Sequence, residues 1–354
     1  LAEHPYSSLP DHRFWRKAVT QTPPFAIDPI LATPFRIAPS DKVATGGSCF
    51  AQEIAQRLQA SGFHYYLVER PPEGMSAAEA ERRNYSMYSC RYGNLYTTTA
   101  LLQLFDRAYG TLTPDLVHWV RQEDGRIVDP FRPSIEPDGY DSIDDMLAER
   151  ERHFSAVREM FETLDVFIFT FGHTESWRCR SDGAVLQQAP GVAGGVWDPS
   201  VFAFHNMTVS EVVRDFLASV DRIRSVNADA RIILTVSPVG IIATYENRHV
   251  LEANSAIKAI LRAAADEVVR ARPNIAYFPS YDVATAPPNV ARFYRDDVRR
   301  INPFGISQTM RLFFEHFTER ETQTAKIEPL KFDVAAEAES NSRIVCDEEA
   351  IETA

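Results

Sequence analysis

A serine set where a strand runs into a helix has two chemical uses, and Ser48 is so placed. Residues 41–62 read DKVATGGSCFAQEIAQRLQASG. A short strand-like run ends in Gly46-Gly47, and a helical pattern begins at Ser48 and stops at Gly62. The first N–H groups of a helix lack intrahelical partners and carry partial positive charge, so they can stabilise an oxyanion beside a nucleophile. The same hydroxyl can instead cap the helix. Two consecutive glycines let a ligand or another backbone approach closely, which favours the first use. Cys49 is a second nucleophile candidate, since a thiolate gains from a helix N-terminus. Further along, the apolar run 165–171 (DVFIFTF) reads as a strand buried on both faces and ends in Gly172-His173-Thr174-Glu175. Ligands of open α/β sheets lie outside the carboxyl ends of the strands, so this tetrad belongs beside Ser48.

Gly47-Ser48-Cys49-Phe50-Ala51 resembles the signature of the GSCFA family of the SGNH/GDSL hydrolase-like superfamily. The resemblance extends over nearly the whole chain, with the pentapeptide as its most specific part. It implies Ser48 as the nucleophile, with glycine in place of the superfamily's aspartate in the turn. It also implies that Gly93 and Asn94, in the Tyr92-Gly93-Asn94-Leu95-Tyr96 loop, help Ser48 hold an oxyanion. Read locally, that loop is equally a glycine turn before a helix cap. Thr174 stands where the superfamily has asparagine, and its hydroxyl can donate one hydrogen bond. Asp297 matches the aspartate of the superfamily's Asp-x-x-His, but Arg300 stands where the histidine belongs. Arginine stays protonated and cannot serve as a base. The substitute expected is His249, in Arg248-His249-Val250, or else His173. Each histidine also has a bland reading, a helix-start or strand-end imidazole bound to backbone. His173, Glu175 and Arg300 are the expected substrate-binding groups, with Arg300 suited to an anionic group.

These side chains need a scaffold. Strand-like runs at 42–45, 63–68, 165–171, 231–236 and 274–279 alternate with helical patterns, which predicts a five-stranded parallel sheet between two helix layers. The fold class expected is three-layer α/β/α, flavodoxin-like, and the resemblance implies the same fold. Residues 1–40 carry seven prolines and form an arm; 41–320 is the α/β domain, with covering insertions at about 111–140 and 178–206; 321–354 is a polar C-terminal extension ending in an acidic run at Cys346-Asp347-Glu348-Glu349.

The 354 residues carry 37 basic and 49 acidic side chains, a formal charge of −12, without the basic cluster that nucleic acid or an anionic membrane would need. Four cysteines without CxxC spacing indicate neither a zinc site nor a disulfide framework. No metal or cofactor is expected. With no membrane-length apolar run and no signal-like start, a cytoplasmic location is expected, and a homodimer is the default assembly. The function expected is acyl transfer through Ser48, as an esterase or a carbohydrate O-acyltransferase using a small-molecule or carbohydrate substrate and, for transfer, an acyl donor. The alternatives are a carbohydrate- or nucleotide-binding protein that lost its base, and a glycan-modifying enzyme of different chemistry.

Overall fold

A computed structural model describes residues 4–319 and 346–353. Four parallel strands make the central sheet: β1 (Val43–Gly47), β4 (Val166–Phe171), β8 (Arg231–Val236) and β9 (Ile275–Phe278), in the order β1-β4-β8-β9. Gly47 pairs with Thr170, and Thr170 in turn with Thr235, which puts the ends of β1, β4 and β8 level.

Alternation along β4 sorts its side chains between the two helix layers. Phe167, Phe169 and Phe171 face α3 (Thr98–Ala108), α4 (Ile143–Thr163), α5 (Val209–Val226) and α6 (Val250–Ala271). Val166 and Ile168 face α1 (Phe50–Ala60) and α9 (Pro303–Phe317). Both faces are buried, as a parallel sheet requires. Short helices complete the connections: α2 (Ala77–Arg82) before α3, and α7 (Ser280–Thr285) and α8 (Val290–Phe293) between β9 and α9. Ser142, Thr97 and Thr208 cap their helices as their types predict, the last with a full capping box closed by Glu211.

The predicted strand at 63–68 does not form. Only Tyr65 bridges to Val43, so among the described residues the sheet has four strands where five were expected. The chain leaves the sheet edge because Val68 turns its amide to the Ser89 carbonyl, while Ser89 Oγ takes the Thr45 amide that an edge strand would have paired.

Two small antiparallel sheets lie apart from the central one. β2 (Trp119–Val120) and β3 (Ile127–Val128) form a hairpin; β5 (Glu175–Cys179), β6 (Val185–Leu186) and β7 (Phe202–Asn206) form a sheet in the order β6-β5-β7. The loop carrying Gly93 and Asn94 is fixed from below by an ion cluster. Arg91, fully buried, reaches Glu136 at 2.6 Å and Glu149 of α4 at 2.6 Å, and Glu149 also pairs with Arg132. The N-terminal arm packs on α9: Ile37 bridges to Thr318, and His316 pairs with Asp28 at 2.6 Å. Among the described residues no helix is long and apolar enough to cross a membrane.

Candidate active site

Gly47 ends β1 at φ +119°, and a side chain there would collide with the Thr170 carbonyl oxygen. Glycine therefore lets β1 lie against β4 up to its last residue. The Ser48 amide donates to that same carbonyl at 3.1 Å, and the Ser48 side chain lies against Gly172. Helix α1 begins at Phe50 with Cys49 at the cap position, so Ser48 caps nothing. Its Oγ is buried, at 2% residue exposure, and has no hydrogen-bond partner among the described residues.

Asn94 is also buried. Its loop is tied to the Ser48 turn by the Leu95 amide, which donates to the Gly47 carbonyl at 2.8 Å. Gln52 of α1 donates to Asn94 Oδ1 at 3.1 Å, and Asn94 Nδ2 donates to Asp347 Oδ2 at 2.8 Å. Gly93, at φ +71°, packs so closely on the Gln187 amide that a Cβ would lie 2.5 Å from it. The acidic run at 346–349 is thus no peripheral tail. Asp347 sits on the Asn94 amide with the Ser134 hydroxyl and the Asn94 backbone N–H beside it, and burial raises its carboxyl to about 6.

His173 follows β4 as expected. Its ring stacks on Tyr96 with centroids 4.7 Å apart, and its Nε2 meets Glu348 Oε1 at 3.2 Å. Its buried Nδ1 has no partner. A hydrogen on Nε2, shared with the carboxylate, leaves the Nδ1 lone pair free to accept a proton. Burial works to raise the Glu348 carboxyl, but the hydrogen bond and charge of His173, with the Arg299 and Lys258 cations, hold it below its ordinary value.

Five of the expected site residues are bonded elsewhere. His249 is exposed and caps α6, its Nδ1 accepting the Leu251 amide at 3.1 Å, so a local helix-end bond claims the nitrogen a base would use. Asp297 and Arg300 pair with each other at 2.6 Å across one turn, partly in solvent, and the turn points Arg299 inward in place of Arg300. Arg299 reaches Glu348 at 3.4 Å and the Gly240 carbonyl at 3.0 Å. The Thr174 hydroxyl donates to Asn206 Oδ1 at 2.5 Å, which commits its one donor to β7. Glu175 lines the crevice but is taken up by Thr244 Oγ1 at 2.5 Å and the Tyr245 amide at 3.2 Å, so it positions a loop.

Sequence reasoning missed Lys258, Arg299, Asp347 and Glu348. Lys258 had a readable signal: it lies on the apolar stripe of α6 with Ala253, Ile257, Leu261 and Ala265. Its Nζ donates to the Gly172 carbonyl at 2.8 Å, and burial lowers its titration to about 8 against the pull of Glu348. Acidic composition at 347–349 carried no information about where that segment docks. No group of three or more side chains suited to a metal ion occurs among the described residues.

The GSCFA family model matches residues 42–313, which include the Ser48 turn, the Asn94 loop and His173. The chain belongs to the GSCFA family. No curated protein matches it in sequence. Among solved structures it is similar to a carbohydrate esterase family 3 protein from Talaromyces cellulolyticus, at 12% identity over 61% of this chain and 87% of the other, with a TM-score of 0.25. It is similar at the same identity and TM-score to a serine-to-alanine mutant of an acetyl esterase with acetate ion, over 61% of this chain and 86% of the other. Likeness at that level says nothing of what this GSCFA protein acts on.

Proposed function

We propose that the protein is a serine-dependent acyl-transfer enzyme on an SGNH-like scaffold, an esterase or O-acyltransferase. The observation that carries this is the pair of buried, unpartnered atoms Ser48 Oγ and His173 Nδ1, the serine side chain lying against Gly172 and the histidine being the next residue, with His173 Nε2 already held by a carboxylate. Nucleophile, base and orienting acid are the roles such an arrangement fills.

Ser48 Oγ attacks the acyl carbonyl carbon while its proton passes to His173 Nδ1. The new oxyanion takes the donors of Asn94, displacing the Asp347 carboxylate that occupies them in the resting protein. As the carbon–oxygen bond to the leaving alcohol breaks, His173 returns the proton to it. Water or an acceptor hydroxyl then repeats the sequence on acyl-Ser48. Glu348 stabilises the imidazolium without taking its proton.

The occupation of Asn94 by Asp347 favours a second reading, a binding protein without turnover. A fluorophosphonate probe followed by intact and peptide mass spectrometry separates the two. One adduct on Ser48 is expected, absent from Ser48→Ala, at least about a hundredfold slower in His173→Ala, and at wild-type rate in His249→Ala. A folded protein that takes no label is the binding protein.

A further inference from the structure

Beyond His173 the crevice runs outward between β5, β7 and the loop after β8, and its space, counting the open mouth, is about 730 Å³. Trp177 of β5 and Phe204 of β7 line it, and Trp197 and Tyr245 extend the same aromatic wall outward. Trp177 meets Tyr245 at 4.6 Å, Trp197 at 4.8 Å and Phe204 at 5.6 Å, centroid to centroid. Tyr245 is 60% exposed and Trp197 39%, unusual for rings with so many neighbours to pack behind. Their position is built, since Glu175 anchors the Thr244-Tyr245 loop against Trp177 through two hydrogen bonds.

The inner end of the same crevice is polar and unsatisfied. Tyr96 Oη, Gln187 Oε1, Gln188 Oε1 and Asp347 Oδ1 are buried and lack hydrogen-bond partners among the described residues, and all four residues line it. Three of those atoms are pure acceptors and call for donors from whatever enters. Neither lysine nor arginine lines the crevice among the described residues, while Glu175, Asp347 and Glu348 do.

These features select a ligand. An acyl chain would leave the acceptors unpaired and shut off from water. A phosphorylated or uronic ligand would meet three carboxylates and no lysine or arginine in the crevice lining among the described residues. A neutral sugar fits both ends: its hydroxyl groups donate to the amide and carboxylate oxygens, and the weakly positive C–H face of its ring lies on the negative face of an aromatic ring. We propose that the Trp177, Trp197, Phe204 and Tyr245 wall, with Gln187, Gln188 and Tyr96 at its base, is a subsite for a neutral carbohydrate that carries or receives the acyl group. This rests on the acyl-transfer reading for the reaction, but the subsite stands or falls by binding.

The experiment uses the full-length Ser48→Ala protein, so that nothing is turned over, on an array of defined oligosaccharides that includes neutral, amino and uronic sugars. The best binder is then titrated by tryptophan fluorescence. Neutral oligosaccharides are expected to bind and to shift tryptophan emission. Tyr245→Ala, at an exposed position that leaves folding intact, should weaken binding on the order of fivefold, and Tyr245→Phe should restore it because the ring and not the hydroxyl makes the contact. Overturning results are no binding across the array, binding confined to uronic sugars, equal affinity in Tyr245→Ala, or displacement of the sugar by p-nitrophenyl octanoate, which would make the wall an acyl-chain site. Sugar binding in a wild-type protein that takes no fluorophosphonate leaves the subsite standing and removes the serine chemistry. Labelling of Ser48 without sugar binding does the reverse.

Discussion

Cys49 follows Ser48 directly, yet its surroundings hold its thiol out of use. A hydrogen bond with Cys346, then burial, push it well above the ordinary thiol range, so the thiolate is scarce at neutral pH. Native protein treated with iodoacetamide at about pH 7.5, near the ordinary thiol range, should therefore keep Cys49 unmodified, while protein in urea should lose it to carbamidomethylation at the rate of a free thiol. Rapid native alkylation of Cys49 would return it to the list of nucleophiles. At this scale the local frames of Ser48, Asn94 and His173 were legible in the sequence: a glycine turn before a helix, a glycine turn before a helix cap, a strand end. Which of His249 and His173 keeps an open ring nitrogen was not legible. It depends on which nitrogen a backbone amide claims, and the nearby Leu251 amide claims that of His249.

Strands and helices announce themselves through burial period and caps, so β4 and β8 could be read from unbroken apolar runs and α5 from Thr208 and Glu211. The run at 63–68 has the same β-forming residues but lies beyond the sheet edge, where the Ser89 side chain competes for the ladder's hydrogen bonds; propensity cannot report a competitor that arrives from a later loop. The long loop before α3 keeps its shape through Arg91 instead of a ladder. Arg91 answers two buried carboxylates, stacks on Tyr85 at 4.0 Å and donates to the Ile135 carbonyl at 3.0 Å. Removing one member of a buried ion cluster leaves the rest uncompensated, a loss of about 3–5 kcal/mol. Arg91→Ala should thus lower the stability measured by urea unfolding by that amount, and the Asn94 loop should lose amide protection before β4 does. A change below about 1 kcal/mol, the level of an exposed ion pair, would mean the cluster is solvated and does not hold the loop.

Over the whole molecule, the segment 346–353 docks on a crevice built from the Asn94 loop and the end of β4, far earlier in the chain, and proton binding governs how firmly. Asp347 titrates at about 6 when docked, raised by burial from an ordinary 3.8. Between those values the docked state holds a proton that the free segment has released. Docking is therefore fully favoured below about pH 4, weakens as pH rises towards 6, and is level above that. The other groups facing the segment are Glu348, paired with His173, Arg299 and Lys258, and Tyr96 and Cys49, both held protonated far above this range. Glu348, pulled below its ordinary value, works in the opposite direction but at lower pH, from its ordinary 4.5 downward. Between about pH 4.5 and 6.5 the dependence thus belongs to Asp347. Hydrogen exchange read as protection factors, which removes the intrinsic effect of pH on exchange, should show residues 347–350 losing protection across that interval in the wild type. Asp347→Asn keeps the donor–acceptor shape without a titrating proton, so its protection there should be flat. A parallel decline in both proteins would take the dependence away from Asp347, and its carboxylate would then be an ionised occupant of the Asn94 amide across that interval.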